Sequence, residues 1–274
     1  MSKFDSIIIG DESLTHHCAE TLLNQGHRLS ALVTDNPDLA AWAMSRNLRV
    51  EAHGPDLAAR LSGLSVDWVL SIANLKILPP EFLALGHKGA VNFHDGPLPK
   101  HAGLNAPIWA LIEGEVIHGI TWHLIDGGID TGDILVQRSI DILPEDTALS
   151  LNTKCYEAGL TSFPDLLEEL VGGLPNRRAQ NNAQRSYHAL TDRPEANGVL
   201  RFDQPAEQAL RLIRALDHGS YWNPICTPKL RMKGMVVHIG TATVTPSSAA
   251  VGTVIDVTDT SLTITFADAA LCLN

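Results

Sequence analysis

Short apolar segments that alternate with amphipathic segments constrain the fold of this chain more than any other feature. Glycine or turn residues bound each apolar segment, and segments with helical periodicity such as Cys18–Leu23 and Leu39–Met44 separate them. The apolar segments of the N-terminal part are Ser6–Ile9, Leu29–Val33, Val66–Ile72 and Ala90–Phe93. Because Val, Ile and Leu occupy both faces of these segments, we expect strands that are buried on both sides. The pattern predicts an α/β fold with a doubly wound, mostly parallel, Rossmann-like sheet.

The first predicted domain continues beyond these strands. Two more strand-like segments, Gly119–Ile125 and Ile134–Ile142, are followed by a long helix-like segment, Thr147–Val171, so the domain is predicted to span residues 1–171. Residues 172–199 are rich in glycine, asparagine and glutamine and hold few large apolar side chains. This composition predicts a linker on the surface.

The C-terminal part has a different pattern. A short helix-like segment, Ala206–Leu216, precedes a series of short alternating segments. These segments are Val236–Ile239, Thr241–Val244, Gly252–Val257 and Leu262–Phe266. They predict a small antiparallel, OB-like β-barrel over residues 200–274. Because the sequence stops at Leu271–Asn274 without a polar tail, we expect either a domain cut from a longer polypeptide or a native C-terminus in a strand.

Size and charge exclude several classes of protein. The chain has 274 residues, 45% of them hydrophobic, which fits two globular domains and excludes wholesale disorder. Its 20 Lys and Arg against 31 Asp and Glu give a formal net charge of −11, so a nucleic acid partner is not expected. The four cysteines are dispersed without a CxxC pair, which predicts reduced thiols. The apolar run Ser6–Ile9 is too short for a signal peptide or a membrane span, so we expect a cytoplasmic protein.

Several common catalytic signatures are missing from the sequence. The first predicted strand is followed by Gly10-Asp11-Glu12-Ser13-Leu14 and not by G-x-G-x-x-G, so a dinucleotide site is not expected. The chain also contains no P-loop, no G-x-S-x-G and no H-E-x-x-H motif. The sequence therefore lacks the residues that usually carry phosphoryl transfer, esterase chemistry and zincin chemistry.

Polar residues at the end of one predicted buried strand indicate the chemistry. Asn92 and His94 are two residues apart on the strand, so their side chains leave the same face near its carboxyl end, where open α/β sheets bind ligands. An amide and an imidazole side by side can donate two hydrogen bonds to one developing oxyanion, and a carboxylate such as Asp130 can orient the imidazole. The set suits acyl transfer without a covalent enzyme intermediate.

The motifs around these residues resemble those of the 10-formyltetrahydrofolate-dependent formyltransferases. Asn92-x-His94 is followed by Gly96-Pro97-Leu98-Pro99, and Gly119-x-Thr121-x-His123 is followed by Asp130. The turn Leu75–Pro80 and the region from Pro205 onward are also similar to the family, so the resemblance covers nearly the whole chain. It implies formyl transfer from 10-formyltetrahydrofolate to a primary amine, without a metal, by a catalytic domain at residues 1–171.

The resemblance also implies roles for individual residues. Asn92, His94 and Asp130 match the catalytic Asn, His and Asp of the family. The positions that match the folate site are Lys76, Ile77, Leu78, His123, Leu124, Ile125 and Asp126. On the residues alone, Lys76 fits a solvated turn lysine better than a folate contact, and His123 is equally compatible with a packed structural histidine.

Two departures from the family concern the amine acceptor. Where relatives usually read His-Pro-Ser-Leu-Leu-Pro and then Arg-Gly, this chain has Asp95 after His94 and Ala102 at the arginine position. Basic and acidic residues are also equal in number from residue 200 onward, which disfavours a transfer RNA. Among the possible amine acceptors we therefore rank first an aminoacyl group that is bound to a carrier protein. Such a carrier belongs to a nonribosomal peptide or polyketide assembly line, with possible downstream megasynthase domains.

Other hypotheses stay open at this point. An aminosugar-nucleotide N-formyltransferase, a methionyl-tRNA formyltransferase and a formyl-folate hydrolase are enzymatic alternatives, and a catalytically inactive docking module of a megasynthase is the non-enzymatic one. The histidines and aspartates of the motifs match no metal-ligand spacing, so no metal is predicted. The basic residues Arg177, Arg178 and Arg185 fit solvated positions better than an RNA contact.

Overall fold

The computed structural model describes residues 3–174, 176–232 and 234–274. The strands are β1 (Asp5–Ile9), β2 (Arg28–Val33), β3 (Val50–Glu51), β4 (Val66–Ser71), β5 (Gly86–His94), β6 (Ala102–Gly103), β7 (Ile117–Leu124), β8 (Ile134–Asp141), β9 (Tyr187–His188), β10 (Lys229–Met232), β11 (Met235–His238), β12 (Ala242–Thr245), β13 (Val254–Val257), β14 (Leu262–Thr265) and β15 (Ala270–Leu273). The helices are α1 (Ser13–Asn24), α2 (Pro37–Ser45), α3 (Leu57–Leu61), α4 (Pro80–Leu83), α5 (Ala106–Glu113), α6 (Ala148–Gly172) and α7 (Ala206–Ala215). Within the described residues, no helix combines the length and apolar character needed to cross a bilayer.

A seven-stranded sheet forms the centre of the N-terminal part, in the order β3-β2-β1-β4-β5-β7-β8. The pairs β1–β2, β2–β3, β1–β4 and β4–β5 are parallel, and β7 runs antiparallel to β5. This is the mostly parallel, Rossmann-like sheet that the alternation of apolar segments predicted.

The sheet is covered on both faces, and β1 shows why. Ile8 packs with Leu14 and Leu22 of α1 in one buried cluster, whereas Ile7 and Ile9 lie in a second cluster. Consecutive strand residues point to opposite faces, so an uninterrupted Ile-Ile-Ile run is stable only when apolar layers lie on both sides. The apolar character of both faces is therefore the physical cause of the layered α/β arrangement.

Contacts between residues group the chain into two compact units that interleave along the sequence. One comprises the chain up to Ala102 together with Gly119–Ile140 and Cys155–Ser186. The other comprises Gly103–His118, Asp141–Lys154 and Tyr187–Asn274. The domain boundaries expected from the sequence divide the chain into residues 1–171, 172–199 and 200–274, and this division stays a prediction.

The second unit contains the antiparallel strands expected of a small barrel-like domain. Four strands pair in the order β12-β15-β14-β13, and β10 pairs with β11. The buried residues Ala206, Ala209 and Ile213 of α7 recur at a helical spacing, and they join Phe266 and Leu271 in the core of this unit. The amphipathic segment predicted over Ala206–Leu216 is therefore the helix that covers these strands.

Candidate active site

Strand β5 carries the first two candidate residues at its carboxyl end. Val91 and Phe93 point into the buried core of the N-terminal sheet, so Asn92 and His94 leave the opposite face. The side chain of His94 is only 5% exposed. The structure thus places both predicted residues side by side, in a site from which protein atoms exclude most of the water.

One nitrogen of His94 is committed to the backbone. Its Nε2 lies 2.8 Å from the carbonyl oxygen of His101. Because a carbonyl only accepts hydrogen bonds, Nε2 must carry a proton. The other nitrogen, Nδ1, faces two carboxylates, at 3.8 Å from Asp95 Oδ1 and 3.7 Å from Asp130 Oδ2. Nδ1 is therefore the atom of this ring that is placed for chemistry.

His123 has a matching arrangement on the neighbouring strand. It lies opposite Asn92 in the β5–β7 pairing, and its Nδ1 is 2.8 Å from the carbonyl oxygen of Leu124. By the same argument Nδ1 carries a proton, and Nε2 lies 3.3 Å from Asp130 Oδ1 and 3.3 Å from Asn92 Nδ2. Asp130 thus bridges two imidazoles, and the cluster can hold a proton between its carboxylate and either ring.

The second carboxylate, Asp95, changes the electrostatics of the site. Burial raises the pKa of the Asp95 carboxyl above its usual range, and the charge of Asp130 adds to this, while His94 opposes it. Burial together with the charge of Asp95 also raises the pKa of the Cys155 thiol well above its usual value. Cys155 therefore stays a thiol and is not placed to act as a nucleophile.

The loop between β7 and β8 positions Asp130. Asp130 has a φ of +52°, in the left-handed region. Further along, Gly132 approaches the backbone so closely that a Cβ there would lie 1.8 Å from the oxygen of Leu124. The carboxylate of Asp126 is exposed and accepts hydrogen bonds from the Gly128 N–H at 2.9 Å and the Thr131 hydroxyl at 2.5 Å. Its side chain therefore stabilises the loop.

The predicted folate turn lies after β4. Leu75 and Ile77 are 85% and 86% exposed, which gives the turn an apolar surface. Asn74 holds the turn, since its side chain contacts both the N–H and the carbonyl of Lys76, at 3.1 Å and 2.9 Å. The Lys76 ammonium donates to Asp35 at 2.6 Å. The charge of Lys76 is thus neutralised within the chain, and its assignment to the folate site stays a prediction.

Sequence reasoning missed two residues that contact the Asp130 loop. Gln180 and Arg185 lie in the segment predicted to be a surface linker, and their side chains donate to backbone oxygens of that loop. Arg185 was interpreted as solvated, and the polar composition around Gln180 carried no signal. Only the pairing of this segment with the loop reveals the contacts.

Comparison with known proteins identifies the family and the fold of the chain. Residues 26–167, about half of the chain, match the Formyl transferase family. The methionyl-tRNA formyltransferase of Koribacter versatilis is 32% identical over 184 residues, which cover 67% of this chain and 57% of that protein. The corresponding enzyme of Geobacter metallireducens is 33% identical over 165 residues, which cover 60% and 52%. The chain thus spans little more than half the length of these relatives.

Solved structures resemble the chain over its whole length. An N-formyltransferase from Helicobacter canadensis, in complex with folinic acid and dTDP-3-aminofucose, superposes with a TM-score of 0.78 at 20% identity and covers 98% of both chains. WlaRD, a sugar 3N-formyl transferase, gives a TM-score of 0.75 at 17% identity, covering 100% of this chain and 98% of that one. These likenesses confirm the predicted fold class. The match over residues 26–167 establishes that this chain belongs to the formyl transferase family, as the motifs around Asn92 and His123 predicted.

Proposed function

We propose that this chain transfers the formyl group of 10-formyltetrahydrofolate to a primary amine. The observation that carries the proposal is the buried cluster in which Asp130 lies within 3.7 Å of His94 Nδ1 and within 3.3 Å of His123 Nε2, next to Asn92. The amine nitrogen attacks the formyl carbon, and the bond between that carbon and N10 of the folate breaks. The amine loses a proton and N10 gains one, so the products are an N-formylated amine and tetrahydrofolate.

Asn92 and His94 would stabilise the oxyanion of the tetrahedral intermediate. The Asn92 amide has two N–H groups, of which the His123 contact at 3.3 Å uses at most one, and the protonated Nδ1 of His94 supplies the second donor. Loss of one such donor typically lowers the rate by about a hundredfold or more. Asp130, which contacts both histidines, would help to move the proton from the amine to N10.

The residues around the cluster fit a folate as co-substrate. The exposed Leu75 and Ile77 offer an apolar surface for a flat ring system. The N–H groups of Leu124 and Ile125 already donate to Asp133 at 2.9 Å and Ala90 at 2.8 Å. A pterin at this edge would therefore contact atoms of Leu124–Asp126 other than these two N–H groups.

Two acceptors deserve a test. The likeness over the whole chain to solved sugar formyltransferases, one of them with dTDP-3-aminofucose, favours the amine of a nucleotide-linked aminosugar. The aminoacyl group on a carrier protein, the acceptor placed first from the sequence, rests on the departure from the family motif at Asp95, whose carboxylate lies 3.8 Å from His94 Nδ1. We propose the aminosugar as the first acceptor to assay.

A direct assay separates these hypotheses. The purified chain is incubated with 10-formyltetrahydrofolate and either a dTDP-aminosugar, an aminoacyl carrier protein, a methionyl-tRNA or no amine. Tetrahydrofolate, free formate and the formylated product are quantified. We expect formylated aminosugar, and we expect His94→Ala to lower its rate at least about a hundredfold. Formate without an amine would instead establish a hydrolase. Full activity of His94→Ala, or absence of both reactions, would refute the proposal and favour a docking module.

A further inference from the structure

A polar segment distant in sequence runs along the loop that carries Asp130. Arg178 forms two backbone hydrogen bonds with Ile134, at 3.0 Å and 2.9 Å, in an antiparallel bridge. The Arg185 guanidinium donates to the carbonyl of Ile129 at 2.9 Å. Both ends of the loop are therefore held by one segment, residues 178–185, which we call the strap.

The centre of the strap contributes a single side chain, Gln180. Its amide nitrogen Nε2 donates to the carbonyl of Asp130 at 2.9 Å and to the carbonyl of Gly132 at 2.7 Å. The two N–H groups of one amide thus span the two carbonyls that flank Thr131. The other amide atom, Oε1, is buried and accepts no hydrogen bond from the described residues. The donors of this side chain, and not its acceptor, are what the loop uses.

The loop needs this support because its backbone is irregular. Asp130 has a φ of +52°, a conformation that L-residues with a Cβ rarely adopt and that costs free energy unless neighbouring groups stabilise it. The carbonyls of Asp130 and Gly132 do not belong to β7 or β8, so the sheet ladder does not pair them. The Gln180 amide takes the place of that ladder at the residue whose carboxylate contacts His94 and His123.

We propose that Gln180 is a positioning residue for the reaction: its amide sets the backbone of Asp130 so that the carboxylate bridges the two imidazoles. The inference rests on the proposed formyl transfer. Without the two hydrogen bonds the left-handed backbone relaxes, and the carboxylate moves away from Nδ1 of His94 and Nε2 of His123. A displacement of about 1 Å at a reacting group can lower a rate by about a hundredfold.

Two substitutions with a matched control test this inference. Gln180→Ala removes both donors, and Gln180→Glu keeps the shape but places a carboxylate against two carbonyls. We expect kcat to fall about tenfold to a hundredfold for both, with the KM for 10-formyltetrahydrofolate changed by less than about threefold. Gln184→Glu makes the same chemical change four residues away on an exposed side chain and is expected to retain normal kinetics.

A double-mutant cycle distinguishes positioning from general destabilisation. If Gln180 acts through Asp130, Gln180→Ala should have no further effect on kcat in an Asp130→Ala background. An equal fold-loss in both backgrounds, or unchanged kcat in both Gln180 variants of an active enzyme, would overturn the inference while formyl transfer stands. If the unsubstituted chain neither formylates an amine nor hydrolyses the folate, the proposed function itself fails.

A second readout does not require activity. The ¹⁵N signals of the His94 and His123 rings, assigned with single histidine substitutions, report their contact with the Asp130 carboxylate. We expect Gln180→Ala to shift both signals in the same direction as Asp130→Ala, and Gln184→Glu to leave them in place. Unchanged ring signals in Gln180→Ala would show that Asp130 keeps its position without this amide, which would overturn the inference.

Discussion

Replacing Asp130 with asparagine removes a charge from the centre of the cluster and leaves its shape nearly intact. In the native chain the carboxylate lies 3.7 Å from His94 Nδ1 and 3.3 Å from His123 Nε2. With an effective dielectric constant of about 20, a unit charge pair at such distances is worth about 4 to 5 kcal/mol before the cost of desolvation is subtracted. If about 3 kcal/mol of this stabilises the protonated His94 ring while it donates to the oxyanion in the transition state, kcat falls by about a hundredfold.

The asparagine also changes the hydrogen bonds that residue 130 can make. Both histidines have their other nitrogen committed as a donor, His94 to the carbonyl of His101 and His123 to that of Leu124. Each therefore presents an unprotonated nitrogen to residue 130 when neutral. A carboxylate accepts a hydrogen bond from either ring once that ring is protonated. An amide instead has one accepting oxygen and one donating nitrogen, and its NH2 group would bond to a neutral ring and hold it unprotonated, which adds to the loss of charge.

Initial rates of tetrahydrofolate formation, with urea unfolding measured in parallel, check this prediction. The matched control is Asp133→Asn, in the same loop, whose carboxylate pairs with Arg177 on the surface, where ion pairs contribute at most about 1 kcal/mol to stability. We expect near-normal activity for the control and a loss of about a hundredfold for Asp130→Asn. If Asp130→Asn keeps more than about a third of the activity, the electrostatic role assigned here to Asp130 is wrong.

Two further changes follow from the geometry of the site. Gly132→Ala would place a Cβ 1.8 Å from the oxygen of Leu124, so we expect the loop to shift. Activity should fall at least about tenfold, and the free energy of unfolding measured by urea titration should fall by about 1–3 kcal/mol. A variant with unchanged activity and stability would contradict the close contact between Gly132 and Leu124. Asp95→Asn tests the raised pKa of the Asp95 carboxyl. A raised pKa means that the folded chain binds this proton more tightly than the unfolded chain does. The free energy of unfolding of the native chain therefore falls as the pH rises from about 4 through the pKa of the folded state. The variant should therefore match the native chain near pH 3 and become the more stable of the two above that range, and the opposite pH trend in urea unfolding would refute the assigned direction.

Much of the fold followed from local patterns. Ala90–Phe93 is predicted as a strand because a short run of apolar residues indicates a buried strand whatever its neighbours in the sheet are. Strand β5 contains this segment. The strand begins earlier, at Gly86, where His87 and Lys88 are exposed and carry no apolar signal. There the hydrogen bonds to β4 extend the strand, and the sequence of one segment alone does not show which other segment it pairs with.

The candidate site also has one feature that the sequence predicts and another that depends on the folded structure. The common face of Asn92 and His94 is a property of any strand with two-residue alternation, so the sequence alone determined it. The position of His123 opposite Asn92 depends on the antiparallel pairing of β5 with β7, which the motif could only imply through its resemblance to a family.

The amino-acid sequence by itself determined the layered α/β fold, the family and the residue types of the site, because periodicity and motif spacing act over a few residues. Only the tertiary structure decided which nitrogen of each histidine faces Asp130, since the choice depends on the carbonyls of His101 and Leu124. It also decided that Gln180, fifty positions along the chain, holds the backbone of Asp130. Hydrogen bonds across such separations depend on the folded path of the backbone and leave no local pattern in the sequence.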